Sequence, residues 1–350
     1  MSVSCQPHRG CGSHASAKTQ NKVNARAAAQ TFIKSSDNGQ TIYIPVILNM
    51  CDKTYDTSNI TEDVAHTITT LNNDFNNQCQ RPSSDIYTNP EFKCMYTDYT
   101  SRAGSANVHF YIEKVNVHPL DSFDTDDIPT LNKLVKGVVP PVSPQSKLNL
   151  WVVSISSGLL GYAQFPWDLA KKPSTDGVVI ASGTFGKNPA MANYNLGKSL
   201  SHEAGHWCSL WHCHTPYTQT PSGQQGIIDF VPGDNPDEVT GDQICDTPQE
   251  LEAVYGNPFM TPSEWPHIIV NGKKVYSMFF NFMDYVDDAA MFMFTKDQCT
   301  RMRLLINVYR PELLKNGPPG TVPSAPTPVP QKPLPATPTP QKQDPATVSP

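Results

Sequence analysis

The sequence has no apolar run long enough to cross a bilayer: nothing in its 350 residues approaches the roughly 18 that a span requires. Charge is also scarce. Asp, Glu, Lys and Arg make up 17% of the chain, and 26 basic against 32 acidic residues give a formal net charge of -6. Without a basic excess there is no electrostatic footprint for nucleic acid or an anionic membrane surface, so neither is expected as a partner. Apolar content is low at 38%, and the shortfall traces to 33 prolines. The stretch from Met1 to Gln30 lacks the roughly 7 to 15-residue apolar core of a secretory signal, so no export route is legible. The 9 cysteines are odd in number and irregularly spaced. At least one thiol is therefore unpaired or otherwise employed, and the redox compartment stays open.

What is present is unevenly distributed. The segment from Gly317 to Pro350 holds 12 of the 33 prolines among Thr, Ser, Ala and Gln. It has no apolar periodicity and predicts a disordered, extended tail, either a passive spacer or a ligand for proline-binding modules. Residues 1–40 are polar and read as a leader or propeptide-like segment. Between them, 41–316 carries the patterns of a folded domain. The β-branched run from Thr41 to Met50 predicts a strand, although Pro45 should keep its own position out of a central ladder. After Ser58 and Asn59, candidate caps, the spacing of Val64, Ile68, Leu71 and Phe75 predicts one face of an amphipathic helix. Val108, Phe110 and Ile112 alternate, Leu148 to Ile155 reads as a buried strand, and Gly177 to Ile180 as a short one. This mixed order predicts an α/β (α+β) domain with helix packed on sheet.

The segment SHEAGHWCSLWH, Ser201 to His212, carries the chemistry. His202 and His206 are four apart, so on a helix both imidazoles project from one face and can grip one zinc ion. Glu203 stands beside the first of them, placed to take a proton from an attacking water and hand it to the leaving amine. His212 can return to the metal once the helix has ended, leaving a fourth position open. Chance would produce His-Glu-x-x-His only about 0.01 times in a chain this long, so coincidence is a poor explanation. Leu196 and Leu200 give the helix its apolar face. Cys213 and His214 are rival ligands, but a closed site including Cys213 would leave Glu203 without a water to activate.

Several runs occur in register. They are HEAGHWCSLWH, GDQICDTPQE (Gly241 to Glu250), NFMDYVDDAAMFMFTKDQCTRM (Asn281 to Met302), and upstream IPVILNM, GLLGYAQFP (Gly158 to Pro166) and GVVIASGTFG (Gly177 to Gly186). Together they resemble the pappalysin family of metzincin metalloendopeptidases, its ulilysin-like and fungal extracellular members, over roughly Thr41 to Leu314. The resemblance implies a cleft between an upper half with a twisted mixed sheet and the active-site helix, and an irregular lower subdomain. It implies Met283 as the floor of a turn beneath the metal, Tyr285 as a hydrogen-bond donor to the oxyanion, and Asp242, Asp246 and Thr247 as a calcium-binding loop. It implies Cys11, in Arg9 to Ser13, as a thiolate blocking zinc's open position in a latent form. It also implies Asp288 as the carboxylate that receives a basic side chain following the scissile bond, and a location outside the cell. Two positions depart from the pattern. Ser209 stands where a glycine is usual, and left-handed backbone there would cost on the order of 1 kcal/mol. Ala290 stands where relatives often carry a disulfide cysteine, which leaves Cys208, Cys213, Cys245 and Cys299 without assigned partners.

The function expected is a zinc-dependent endopeptidase, made latent, acting on protein or peptide substrates held as a strand along an edge strand within Gly158 to Gly186. One alternative is a catalytically silent, zinc-stabilised binding protein that works through its proline-rich tail, against which Glu203 speaks. Another is a zinc hydrolase of a non-peptide amide.

Overall fold

The computed structural model describes residues 39–186, 191–214, 242, 244, 246–248, 250, 252–270, 273–320, 327 and 328. The leader, with Cys11, lies outside the described residues. Among the described residues the main sheet has six strands, five of them β1 (Ile42–Asp52), β2 (Val108–Leu120), β3 (Leu148–Val153), β4 (Gly161–Ala163) and β5 (Val178–Ala181), the sixth being the short pair Thr327–Pro328 outside β2. The spatial order is β2, β1, β3, β5, β4, with every pairing parallel except that of β4 with β5. β1 lies between two neighbours, and its IYIPVILNMCD sequence is buried almost throughout, as a strand covered on both faces requires. β4 is left at the edge beside the cleft described below.

The four longest helices among the described residues complete the frame: α1 (Ile60–Phe75), α2 (Pro90–Ser101), α3 (Lys198–Trp207) and α4 (Lys296–Tyr309). α1 buries Val64, Leu71 and Phe75 on one face. It is keyed to β2 by Asn72, whose amide donates to Phe110 O at 2.9 Å and accepts from Phe110 N at 2.8 Å. Along β3 the side chains alternate between two cores. Leu150 and Val152 face the larger core beneath α1 and α3, whereas Trp151 and Val153 face a smaller one with Leu131, Val135 and Tyr162. α4 opens with a capping box: Thr295 accepts from Gln298 N, and the Gln298 side chain reaches back to Thr295 N.

Three local expectations need correction. Pro45 does sit in the ladder of a central strand, opposite Tyr111 of β2. It is tolerated because β3 joins β1 only from Val46 onward, so Pro45 has one neighbouring strand. Asn59 occupies the N-cap of α1 but makes no side-chain capping bond; Asp56 instead accepts from Ser58 N one turn earlier. In the tail, expected to be without structure, Thr327–Pro328 pair in parallel with Asn116 and Val117 on the outer side of β2. The described chain before it is tied down as far as Asn316, whose side-chain amide donates to Tyr43 O at 3.2 Å and Ser146 O at 3.0 Å.

Candidate metal centre and cleft

The α3 sequence KSLSHEAGHW places His202 and His206 one turn apart on a buried helix. The helix starts from Gly197, whose φ of 80° and missing side chain leave the first backbone N–H groups without a local cap. Asp288 supplies one from a distance: its Oδ2 accepts from Leu196 N at 2.8 Å and Lys198 N at 3.2 Å. At the other end Ser209 takes the left-handed backbone, with φ 98°. Ser209 N donates to His206 O and Leu210 N to Gly205 O, which closes the helix and turns the chain back so that His212 faces the other two imidazoles.

The three Nε2 atoms lie 3.1 Å (His202 to His206), 3.0 Å (His202 to His212) and 2.9 Å (His206 to His212) apart. Each helical ring is oriented by its other nitrogen: His202 Nδ1 donates to Phe282 O and His206 Nδ1 to Leu210 O, both at 2.7 Å. A carbonyl only accepts, so these Nδ1 atoms carry the protons and the Nε2 lone pairs point at one another. Burial reinforces that state, pushing His206 down to about 4 and His202 well below its ordinary range. Two Nε2 lone pairs converging with the Nε2 of a third imidazole suit a cation. Three nitrogens about 2.0 to 2.1 Å from a tetrahedral zinc would stand about 3.3 Å apart, within a few tenths of the separations here. Among the described residues this is the only group of three or more His, Cys, Asp or Glu ligand atoms within 4.8 Å of one another.

Around this centre the remaining predicted residues fall as follows. Glu203 faces a cleft of about 650 Å³ whose lining includes all three histidines, Tyr285, Asp288 and β4. Burial raises the Glu203 carboxyl to about 8. Its conformation needs Gly161: a Cβ there would meet Glu203 Cγ at 2.9 Å and Val179 O at 2.8 Å. The Tyr285 hydroxyl stands 3.1 Å from His212 Nε2, and burial followed by the Glu203 charge raises it to about 12. Met283 is fully buried under α3, close enough that a Cβ on Gly205 would meet its sulfur at 2.6 Å. Asp288 is buried at the cleft wall, and burial, opposed by the two N–H groups and the Lys198 charge, brings it up to about 6.

Other candidates do not join the three converging nitrogens. Cys213 is buried among Glu250, Asp242 and Asp284, and burial together with these charges holds its thiol well above the ordinary value, against a thiolate ligand. The His214 ring stacks on His212 with centroids 4.9 Å apart, and its Nδ1 stands 3.4 Å from Asp284. Asp242 accepts from Ile244 N and from the Thr247 hydroxyl, and Asp246 accepts from Asp297 N while its Oδ1 is without a partner. Cys51, Cys79, Cys208, Cys213 and Cys299 are free, whereas Cys94 is disulfide-bonded to a partner outside the described residues.

Sequence reasoning missed the capping role of Asp288, the clearance at Gly161 and a buried anchor under α3. In that anchor Asp74 receives Lys198 Nζ at 2.6 Å and the Ser201 hydroxyl at 2.5 Å. A signal for it existed: Asp74 falls on the same helical face as Thr67 and Leu71, and an acid at a core position calls for a partner.

A family described as Pregnancy-associated plasma protein-A, peptidase family M43, matches residues 148–307. An extracellular metalloprotease from Verticillium alfalfae is 34% identical over 183 residues, 51% of this chain and 55% of that protein. Extracellular metalloprotease 1 from Coccidioides posadasii is 28% identical over 65% of this chain and 71% of its own length. The chain spans about half the length of the curated relatives heading the comparison, 55% and 56%. Mature mirolysin of Tannerella forsythia in complex with a cleaved peptide is similar in structure, with TM-score 0.58 and 27% identity over 79% of this chain and 96% of that one. The promirolysin structure gives TM-score 0.60 and 25% identity over 88% and 97%. The family match runs from the first residue of β3 through nearly all of α4, which takes in the edge strand, all three histidines and the methionine turn; over this segment the chain is similar to the pappalysin family of metzincin metallopeptidases.

Proposed function

We propose that this chain is a secreted, zinc-dependent endopeptidase made as a latent precursor. The observation that carries the reading is the convergence of the His202, His206 and His212 Nε2 atoms, 2.9 to 3.1 Å apart, on a cleft that Glu203 also faces. Those three side chains would hold the zinc. When bound, the ion supplies Lewis-acid polarisation of the scissile carbonyl and makes water a usable nucleophile near neutral pH. β4 is the edge strand on which an extended peptide pairs, and its short, cleft-side position suits strand addition. Glu203 accepts the proton of the attacking water and delivers it to the leaving nitrogen. The Tyr285 hydroxyl, kept protonated by burial, donates to the oxygen that gains charge.

Asp288 extends the reading to specificity: a buried carboxylate on the cleft wall favours Arg or Lys after the scissile bond. Latency rests on Cys11 in the leader, and is supported by similarity to a pro-form that covers more of this chain than the mature enzyme does, 88% against 79%. Secretion is supported by relatives named extracellular. Calcium at Asp242, Asp246 and Thr247 enters only through their hard oxygen donors, and proline-binding modules only through the composition of the tail.

Two substitutions test the chemistry. Glu203→Ala should keep about one zinc per chain and lose peptide hydrolysis, whereas His206→Ala should lose both. Undiminished cleavage by Glu203→Ala would overturn the mechanism. A chelator-insensitive digest would overturn the role of the metal.

A further inference from the structure

At the C-terminal end of α3 the cleft meets three aromatic rings that the chemistry above does not use. Phe165 and Trp211 line the cleft itself. Phe165 stacks on Trp167 with centroids 4.6 Å apart and planes 9° from parallel. It stacks on Trp211 at 5.2 Å and 30°, and the two indoles lie 5.8 Å apart at 22°. Tyr309 of α4 meets the Trp167 ring edgewise at 6.4 Å, and Phe165 meets His206 edgewise at 5.4 Å. All three rings are only half-buried, so among the described residues part of their apolar surface stays accessible next to the metal centre. Three near-parallel rings held from behind present a surface suited to another flat apolar group, which gains both area burial and offset stacking.

The position of this wall is informative. Asp288 caps the first residues of α3, whereas Phe165 packs on His206, near the last. At about 1.5 Å per residue the two features are roughly 12 to 15 Å apart, a distance that about four residues of extended peptide cover. The wall is also continuous with the substrate strand, since the chain leaves β4 at Ala163 and reaches Phe165 two residues later. A peptide pairing antiparallel with β4 has its N-terminal portion beside that end. The same polarity puts the residue following the scissile bond toward Asp288, so both ends of the cleft fit one substrate direction.

We propose that Phe165, Trp167 and Trp211 form an apolar subsite for an aromatic side chain of a peptide substrate, within the three residues that precede the scissile bond. The proposal rests on the endopeptidase reading for its substrate, and its test separates the two. Peptides with Arg fixed after the scissile bond carry Phe or Ala at each of the three preceding positions in turn. The zinc-loaded parent should favour Phe over Ala by about tenfold in kcat/KM at one of them, the scale of a half-covered aromatic ring. In Trp167→Ala, whose zinc content should match the parent's, that ratio should fall to about twofold or less, while the preference for Arg over Ala after the bond persists. A parent without aromatic preference at any of the three positions overturns the subsite and leaves the peptidase standing. So does a preference that survives in Trp167→Ala. A second readout is independent of turnover. Quenching of tryptophan fluorescence in zinc-loaded Glu203→Ala should report about tenfold tighter binding of the Phe peptide than of its Ala counterpart. Equal affinities overturn the subsite, whereas tighter Phe binding with no hydrolysis even by Cys11→Ala and by protein freed of its leader supports it and sinks the endopeptidase reading instead.

Discussion

Replacing Ser209 by glycine should make the protein more stable, and the size of the gain can be worked from the turn itself. Ser209 has φ 98°, in the region where a Cβ crowds the backbone, and no neighbouring interaction offsets this: its hydroxyl is buried without a hydrogen-bond partner. The backbone term is on the order of 1 kcal/mol. The unpaired hydroxyl adds roughly 1 kcal/mol of uncompensated desolvation. Glycine returns about 0.5 to 1 kcal/mol of this through the greater freedom of its unfolded chain, which leaves a net gain of about 1 to 1.5 kcal/mol. For a domain of this size that is about 2 to 3 °C in Tm. Thermal unfolding of zinc-loaded and chelated protein should show the gain in both, because the strain belongs to the backbone and not to the metal. Ser209→Ala is the control. It removes the hydroxyl and keeps the Cβ, so it should recover only the desolvation part. A glycine variant at or below the parent's Tm would refute the reasoning, as would an alanine variant that unfolds no higher than the parent.

Three further outcomes are expected. The kcat/KM ratio for a peptide with Arg after the scissile bond over one with Leu should rise with pH through about 6, where burial holds Asp288, since dividing by the uncharged peptide cancels the titration of the metal centre. Asp288→Asn keeps an acceptor for the Leu196 and Lys198 N–H groups, so it should give a flat ratio lower by about thirtyfold above that pH; a parent ratio independent of pH would reject the pocket. The same shift has a stability sign: the fold favours the neutral acid, so its contribution is complete below about 3.8 and is lost as pH rises through about 6. Cys11→Ala should raise the activity of the uncleaved chain, and equal activity of mutant and parent would reject the thiolate switch. Deleting Gly317 to Pro350 should leave Tm and turnover nearly unchanged, whereas a drop of several degrees would show that the pairing of Thr327–Pro328 with β2 contributes to the fold.

What the sequence made legible was chemistry with a fixed local spacing. His202 and His206 share a helix face whatever surrounds them, and the alternation of Val108, Phe110 and Ile112 suffices to name a strand. The left-handed Ser209 was foreshadowed only by the resemblance, which places a glycine at that turn; the structure shows serine taking the left-handed backbone there. The interactions that hold those pieces in place were not visible, since they join residues far apart with no shared pattern. Nothing local says that Asp288 caps a helix beginning 90 residues earlier, or that the absent side chain at Gly161 makes room for Glu203. Pro45 was misjudged for the opposite reason. The rule against proline in a central ladder is sound, but it applies to a position with partners on both sides, and only the register of β3 reveals that Pro45 has one.

The residues from Asn281 to Asp288 tie these long-range contacts together. Phe282 O orients the His202 ring, Met283 lies beneath Gly205, the Tyr285 hydroxyl reaches His212, and Asp288 caps α3. This one stretch therefore touches the active-site helix at its start, its middle and the metal-facing side. The stretch is itself clamped: Asn281 and Gln298 exchange amide hydrogen bonds of 2.8 and 3.1 Å, and the same Gln298 closes the capping box of α4. The Asn281–Gln298 amide pair thus links α4 to the stretch whose Phe282 O orients the His202 ring. At the far end of α4, Arg310 donates to both Asp176 oxygens at 2.7 and 3.0 Å while its guanidinium lies 3.9 Å over the Trp207 ring of α3. The His202 ring is thus oriented from outside its own helix, which the Asn281 to Asp288 stretch meets at its start and middle and Arg310 meets at Trp207, its last residue.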